Sequence, residues 1–257
     1  MTIERLAFMQ DGPADAPVLV LSNSLGTTRE MWSPQLEGLT RHWRVVRFDH
    51  PGHGDSPLWN GAVSMENIGL AVLEGLDRLG IERWSFCGLS LGGAVGQWLA
   101  AHTPERIERL ILCSTSARFA GRAAYLERAA TVRAQGMAAV SAVVVERWFT
   151  PGFRTQQPDL VRRYRSMVEA TPPEGYAACC EAVADFDGRS DLPAIAAPTL
   201  VIAGAQDPVT TIEHAAALVD GIPNARLVTI EQAAHLVNIE QPGAVEAAIE
   251  EHLRGTS

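Results

Sequence analysis

No stretch of 18 consecutive apolar residues occurs in this 257-residue chain, so the sequence offers no membrane-spanning helix. Residues 1–12, MTIERLAFMQDG, lack a basic stretch followed by an apolar core, and no secretory leader is expected. Lysine is absent altogether: all 21 basic residues are arginine. Cysteine is scarce, and the four present (Cys87, Cys113, Cys179, Cys180) show no spacing of a metal or redox site. Cys87 and Cys113 fall in apolar runs and are expected in the core, while the adjacent Cys179 and Cys180 suit a helix. This usage fits a reducing compartment, the cytoplasm. No dinucleotide fingerprint, H-E-x-x-H pair or phosphate-binding loop is present, so neither a metal nor an organic cofactor is expected. The net charge of −9 argues against nucleic acid as a partner. Internal repeats and low-complexity tracts are missing too.

What is there is an alternation of buried strands and helices. Apolar runs at 17–22 (PVLVLS), 43–48 (WRVVRF), 84–87, 110–113 (LILC), 199–203 (TLVIA) and 226–230 (RLVTI) read as strands. Helical patterns at 64–79, 92–102, 211–220 and 242–253 fall between or after them. Strands apolar on both faces, alternating with helices, predict a mostly parallel central sheet flanked by helices, an α/β fold. The alternation breaks between 118 and 190, a stretch rich in Ala, Arg and Glu with Pro151-Gly152, Pro158 and Pro172-Pro173 as punctuation. Such an insertion usually covers the strand ends, where open sheets bind ligands. The expected organisation is therefore a core of residues 1–117 and 191–257 with a helical lid at 118–190. Residues 118–165 carry nine arginines and three acids, so they are +6 while the rest of the chain is −15.

The sharpest local signal is Gly88-Leu89-Ser90-Leu91-Gly92, set between a strand and a helix. This is the G-x-S-x-G nucleophile elbow, a turn so tight that it needs small neighbours two residues either side of the serine. A serine hydroxyl needs an adjacent base. Of seven histidines, His235 follows the last predicted strand and precedes the last helix, which suits a triad in the order serine, acid, histidine. His214 and His252 sit in helical patterns as expected surface residues, and His102 ends a helix. His50 and His53, in DHPGHGDS, read as a turn supporting the site wall. Asp207 follows TLVIAGAQ on the loop after a strand and is the expected acid; its plain alternative is a helix N-cap. Asp185, Asp187 and Asp191 are rivals with no strand before them. Acyl chemistry also needs oxyanion donors. The Leu91 N–H, next to the nucleophile, is one, and the Leu25 N–H in the Ser22–Gly26 loop is the expected second.

With these motifs in order along nearly its full length, the chain resembles the α/β-hydrolase fold family. The resemblance rests on SNSLG (22–26), FDHPGHGDS (48–56), GLSLGG (88–93), GAQD (204–207) and AAHLVNIEQP (233–242). Within that superfamily it most resembles the 3-oxoadipate enol-lactonases. Asn23-Ser24-Leu25-Gly26 replaces the usual His-Gly, and ERWFTPGF (146–153) and GYAACCEAVADFD (175–187) match in the lid. One departure is the His-Pro after Asp49, where related chains often have another residue and arginine.

The resemblance implies a serine hydrolase that opens the ring of 3-oxoadipate enol-lactone to 3-oxoadipate, in bacterial degradation of aromatic compounds. Ser90, His235 and Asp207 would form its triad. The expected partner is a small anionic lactone, neither nucleic acid nor membrane; nothing in the sequence bears on oligomeric state. A carboxylate substrate needs a local cation, and Arg133 in the basic lid is the expected one. Ser24 is a further expected contact, and Trp148 and Phe149 are expected either in the apolar pocket wall or in lid packing. Rival readings within the fold are a carboxylesterase, a carbon–carbon bond hydrolase and a cofactor-free perhydrolase. A non-catalytic small-molecule receptor is the rival outside it, and an intact triad weighs against that.

Overall fold

Each apolar run of the sequence becomes a strand of one sheet. The computed structural model describes residues 4–255; residues 1–3 of the stretch read for a leader, and 256–257 at the end of the expected core, lie outside the described residues. The strands are β1 (Phe8–Asp11), β2 (Val18–Ser22), β3 (Arg44–Phe48), β4 (Trp84–Leu89), β5 (Ile107–Cys113), β6 (Thr199–Gly204) and β7 (Ala225–Ile230). Among the described residues their order in the sheet is β1-β3-β2-β4-β5-β6-β7. All neighbours pair parallel except β1, which runs antiparallel to β3 from Phe8 opposite Phe48 to Asp11 opposite Val45. The sequence reading missed β1. Its four residues are half-buried or exposed, so they make no apolar run. An edge strand needs a partner on one side only, and a single exposed face suffices for it.

The helices are α1 (Ser33–Leu39), α2 (Met65–Arg78), α3 (Leu91–His102), α4 (Arg122–Gln135), α5 (Ala138–Glu146), α6 (Pro151–Gln156), α7 (Pro158–Glu169), α8 (Pro173–Asp185), α9 (Ile212–Gly221), α10 (Val237–Glu240) and α11 (Pro242–Arg254). Their starts follow local chemistry. The Ser64 hydroxyl accepts the Asn67 N–H at 3.1 Å and opens α2. Prolines, which lack an N–H that a first turn would leave unpaired, open α6, α7, α8 and α11. Neighbouring residues of a strand face opposite sides of the sheet. On β5, Leu110 lies under Gly96 of α3 while Arg109 meets Gly255 at the end of α11, so these two helices cover opposite faces. His252 of α11, expected at the surface, is instead buried with Nε2 3.2 Å from the Pro198 carbonyl. Cys87 and Cys113 are buried in the core as expected, on adjacent strands with their sulfurs 3.9 Å apart.

Helices α4 to α8 lie between β5 and β6, and α4 packs extensively against α8. Three of them contribute side chains to the chamber at the end of β4, described below. No helix among the described residues is long and apolar enough to cross a membrane.

Candidate active site

Ser90 occupies a backbone conformation that side chains rarely adopt, with φ 58° and ψ −112°, at the junction of β4 and α3. Such strain persists only where the surroundings over-determine it. Here they do. A Cβ on Gly88 would stand 2.2 Å from the Gly92 carbonyl oxygen, and one on Gly92 would stand 2.4 Å from the Ser22 carbonyl oxygen. The Ser90 N–H is held by the Cys113 carbonyl at 3.0 Å, and its own carbonyl accepts the Thr115 hydroxyl at 2.7 Å. The serine is thus pinned from both sides at the C-terminal edge of the sheet.

The loops after β6 and β7 bring Asp207 and His235 together. Gly204 permits this: a Cβ there would lie 2.2 Å from the Ala234 carbonyl oxygen. The Gln206 N–H bonds the Ala233 carbonyl at 2.9 Å and ties the two loops. His235 Nδ1 then lies 2.8 Å from Asp207 Oδ2, with both side chains buried. The other carboxylate oxygen accepts the N–H groups of Val209 (2.7 Å) and Thr210 (3.1 Å), and the Thr210 hydroxyl donates to Oδ2 at 2.7 Å. Burial works against the charge of Asp207. The histidine, the hydroxyl and the Val209 amide outweigh it and hold the carboxyl below its ordinary value. Because Nδ1 faces a carboxylate, it carries the ring proton of neutral His235, which leaves Nε2 as the acceptor. The rival acids point elsewhere: Asp185 pairs with Arg122, and Asp187 with Arg189 and Arg118.

Ser90, His235, Ser24 and Leu25 line one small chamber together with Tyr125, Arg128, Val144, Arg147, Trp148, Tyr176, Val183 and Val209. Ser90 and His235 face it without a direct hydrogen bond to each other, and catalytic hydrogen bonds commonly tighten only with substrate in place. Neither the Leu25 nor the Leu91 N–H has a protein acceptor among the described residues. Trp148 forms part of the wall. Phe149 does not: its ring stacks on Phe153 at 5.1 Å and meets Tyr164, within the helical insertion.

Arg133 is a correction. It lines a different cleft, and its guanidinium is taken by Glu174, at 2.8 Å, and by Glu181. The acids that answer the basic stretch of residues 118–165 lie just beyond it. Glu169, Glu174, Glu181, Asp185 and Asp187 pair with Arg165, Arg133, Arg122 and Arg118. The arginines that do face the chamber are Arg128 and Arg147, and no carboxylate among the described residues forms a salt bridge with either. Arg128 lies over the Tyr125 ring at 5.1 Å, and Arg147 donates to the Pro208 carbonyl at 3.2 Å. The sequence reading also missed Tyr176. It is fully buried in the chamber wall, with its hydroxyl beside the Arg128 guanidinium. Among the described residues no cluster of His, Cys, Asp and Glu is placed to hold a metal ion.

Comparison with known proteins identifies the family to which the fold belongs. The model of the alpha/beta hydrolase fold family matches residues 17–242. The chain is 42% identical to 3-oxoadipate enol-lactonase 2 of Acinetobacter baylyi over 239 residues, 93% of this chain and 89% of that protein. The crystal structure of the enol-lactonase from Burkholderia xenovorans LB400 superposes with a TM-score of 0.94 at 39% identity, covering 97% of this chain and 96% of that one. The structure of a hydrolase from Pseudomonas aeruginosa PA01 gives a TM-score of 0.92 at 47% identity, covering 96% and 94%.

Proposed function

This chain belongs to the α/β-hydrolase fold family, and from that membership we infer that it is a carboxylic ester hydrolase acting on 3-oxoadipate enol-lactone. It opens the lactone ring to give 3-oxoadipate, a step of the β-ketoadipate route of aromatic degradation. The observation that carries the chemistry is the strained Ser90 sharing one chamber with the buried His235–Asp207 pair.

The residues divide the work as follows. Ser90 Oγ attacks the lactone carbonyl, and His235 Nε2 takes its proton. Asp207 stabilises the imidazolium that forms. The Leu25 and Leu91 amides receive the oxyanion. The ring C–O bond breaks and the enol oxygen leaves, taking the proton from His235. Water, activated by the same histidine, then cleaves the acyl-enzyme, and the released enol tautomerises to the ketone. Residues 118–190 act as a lid over this site. The free cysteines suit a cytoplasmic location.

The substrate carries a carboxylate. Arg128 supplies the charge for it, because the other lid arginines that face carboxylates are already neutralised. The Tyr176 hydroxyl, beside Arg128 in the same wall, is a neutral donor for the same carboxylate. Loss of enol-lactone absorbance with purified protein, with 3-oxoadipate identified as product, tests the reading. An active-site titration that labels Ser90 while the lactone survives would redirect it to another ester.

A further inference from the structure

Two fully buried histidines, His50 and His53, take no part in the proton transfers above, yet both are bonded to the loop that carries Leu25. His50 Nε2 donates to the Asn23 carbonyl at 2.8 Å, and the Gly92 N–H donates to the same oxygen at 3.2 Å. The loop is thereby tied to the first turn of α3, where Leu91 sits. The Ser24 carbonyl accepts both the Thr27 N–H (3.1 Å) and the Thr27 hydroxyl (2.7 Å). This carbonyl belongs to the same peptide as the Leu25 N–H. In a trans peptide the two point in opposite directions, so binding the carbonyl on the Thr27 side turns the N–H away from it. The next peptide is fixed as well. The Gly26 N–H donates to His53 Nε2 at 3.1 Å, and His53 Nδ1 faces the Pro51 carbonyl at 2.9 Å.

We propose that His53 is a positioning residue for the oxyanion: with Thr27 it clamps the peptides on both sides of Leu25, so that the Leu25 N–H is aimed before substrate arrives. The partners settle the tautomer. Nδ1 carries the proton, because it faces a carbonyl, and Nε2 offers its lone pair to Gly26. Only a neutral ring can do this, and complete burial pushes the His53 pKa down to about 4, which keeps it neutral in the working range. Pre-aimed donors stabilise charge without reorganising during the reaction, which is why a fixed amide matters more than a merely present one.

The inference rests on the hydrolase reading with Leu25 as donor, and the test separates its failure from the failure of that reading. His53→Leu and Thr27→Val are assayed on the enol-lactone, with thermal melts alongside. The expected result is a kcat about tenfold lower with KM within about twofold, because removing an oxyanion donor outright costs roughly 10²–10³ and misaiming one costs less. Binding of a trifluoromethyl ketone, which forms a tetrahedral adduct with the serine, weakens by the same factor, while 3-oxoadipate binds as before. His53→Gln and Thr27→Ser recover most of the loss, since Oε1 of glutamine accepts the Gly26 N–H and serine keeps the hydroxyl. Folded variants with wild-type kcat and ketone affinity overturn the proposal. So does a loss shared equally by kcat, KM and product affinity, which marks a general structural role. If His53→Leu fails to fold, Thr27→Val decides alone. Wild-type protein that turns over neither lactone nor ester overturns the hydrolase reading instead.

Discussion

His235 Nδ1 and Asp207 Oδ2 meet at 2.8 Å with both side chains sealed from water, and the same carboxylate oxygen also receives the Thr210 hydroxyl. The histidine ring is therefore fixed in one tautomer. Asp207→Asn puts an amide where the acceptor was and favours the wrong tautomer, so kcat is expected to fall by roughly 10³–10⁴. Asp185→Asn and Asp187→Asn, which touch only surface arginines, leave kcat unchanged. A larger loss at either of those would overturn the assignment of the acid. Thr210→Val removes one donor from the shared oxygen and is expected to cost a few-fold in kcat.

Ser90 holds a positive φ at the junction of β4 and α3, the strained turn we propose presents the nucleophile. Ser90→Ala is expected to fold normally and lose on the order of 10³-fold or more in turnover. Ser90→Gly relieves the positive φ, so it should melt higher than wild type, by about 1 kcal/mol, while equally inactive. A melt below that of Ser90→Ala would mean that the strain is not what the elbow holds. Gly88→Ala acts in the opposite sense: its methyl would collide with the Gly92 carbonyl, and both stability and activity fall.

Buried histidines give the fold an acid weakness. Burial pushes His50 down from 6.5 to about 3 and His53 and His252 to about 4. In the unfolded chain these rings take up protons near pH 6.5, whereas in the fold they stay neutral, so stability is complete above about 6.5 and drains as pH falls toward 4. Each fully buried ring contributes on the order of 3 kcal/mol over that span. Thermal melts at pH 7, 6, 5 and 4.5 should fall steadily, and His252→Gln, remote from the chamber, should flatten part of the slope. A midpoint constant from pH 7 to 5 would contradict the burial.

The parts of the site that were legible in the sequence are those written by local backbone demands. Ser90 needs glycines on both sides, and Asp207 and His235 follow strands whose apolar runs are unmistakable, so strand order alone converges them on one edge. The charge reading failed because ion pairing is tertiary. The acids that neutralise Arg133 lie on α8, about forty residues downstream of it, and no pattern within residues 118–165 announces them. Tyr176 was hidden for a similar reason, since its place beside Arg128 in the chamber wall is visible only once α4 and α8 are packed together.

Helix phase also separates Arg128 from Arg133. Five residues turn an α-helix through about 140°, so the two side chains leave α4 on different faces, and its many alanines leave no apolar stripe to say which face is inward. Arg128 looks into the chamber with no carboxylate partner, and Arg133 looks out at Glu174 and Glu181. An arginine that meets its first anion in the substrate should matter to binding, whereas an exposed pair contributes about 0–1 kcal/mol to stability and nothing to recognition. Arg128→Ala is therefore expected to raise KM for the anionic lactone by about tenfold or more, because a desolvated charge pair typically costs at least 2 kcal/mol to lose. A short neutral nitrophenyl ester, which has no carboxylate to hold, should lose little. Arg147 is exposed at the rim and should show a smaller effect of the same sign. Arg133→Ala should change neither substrate's KM. Equal small effects at all three positions would move the carboxylate elsewhere in the chamber, to the Tyr176 hydroxyl or Ser24.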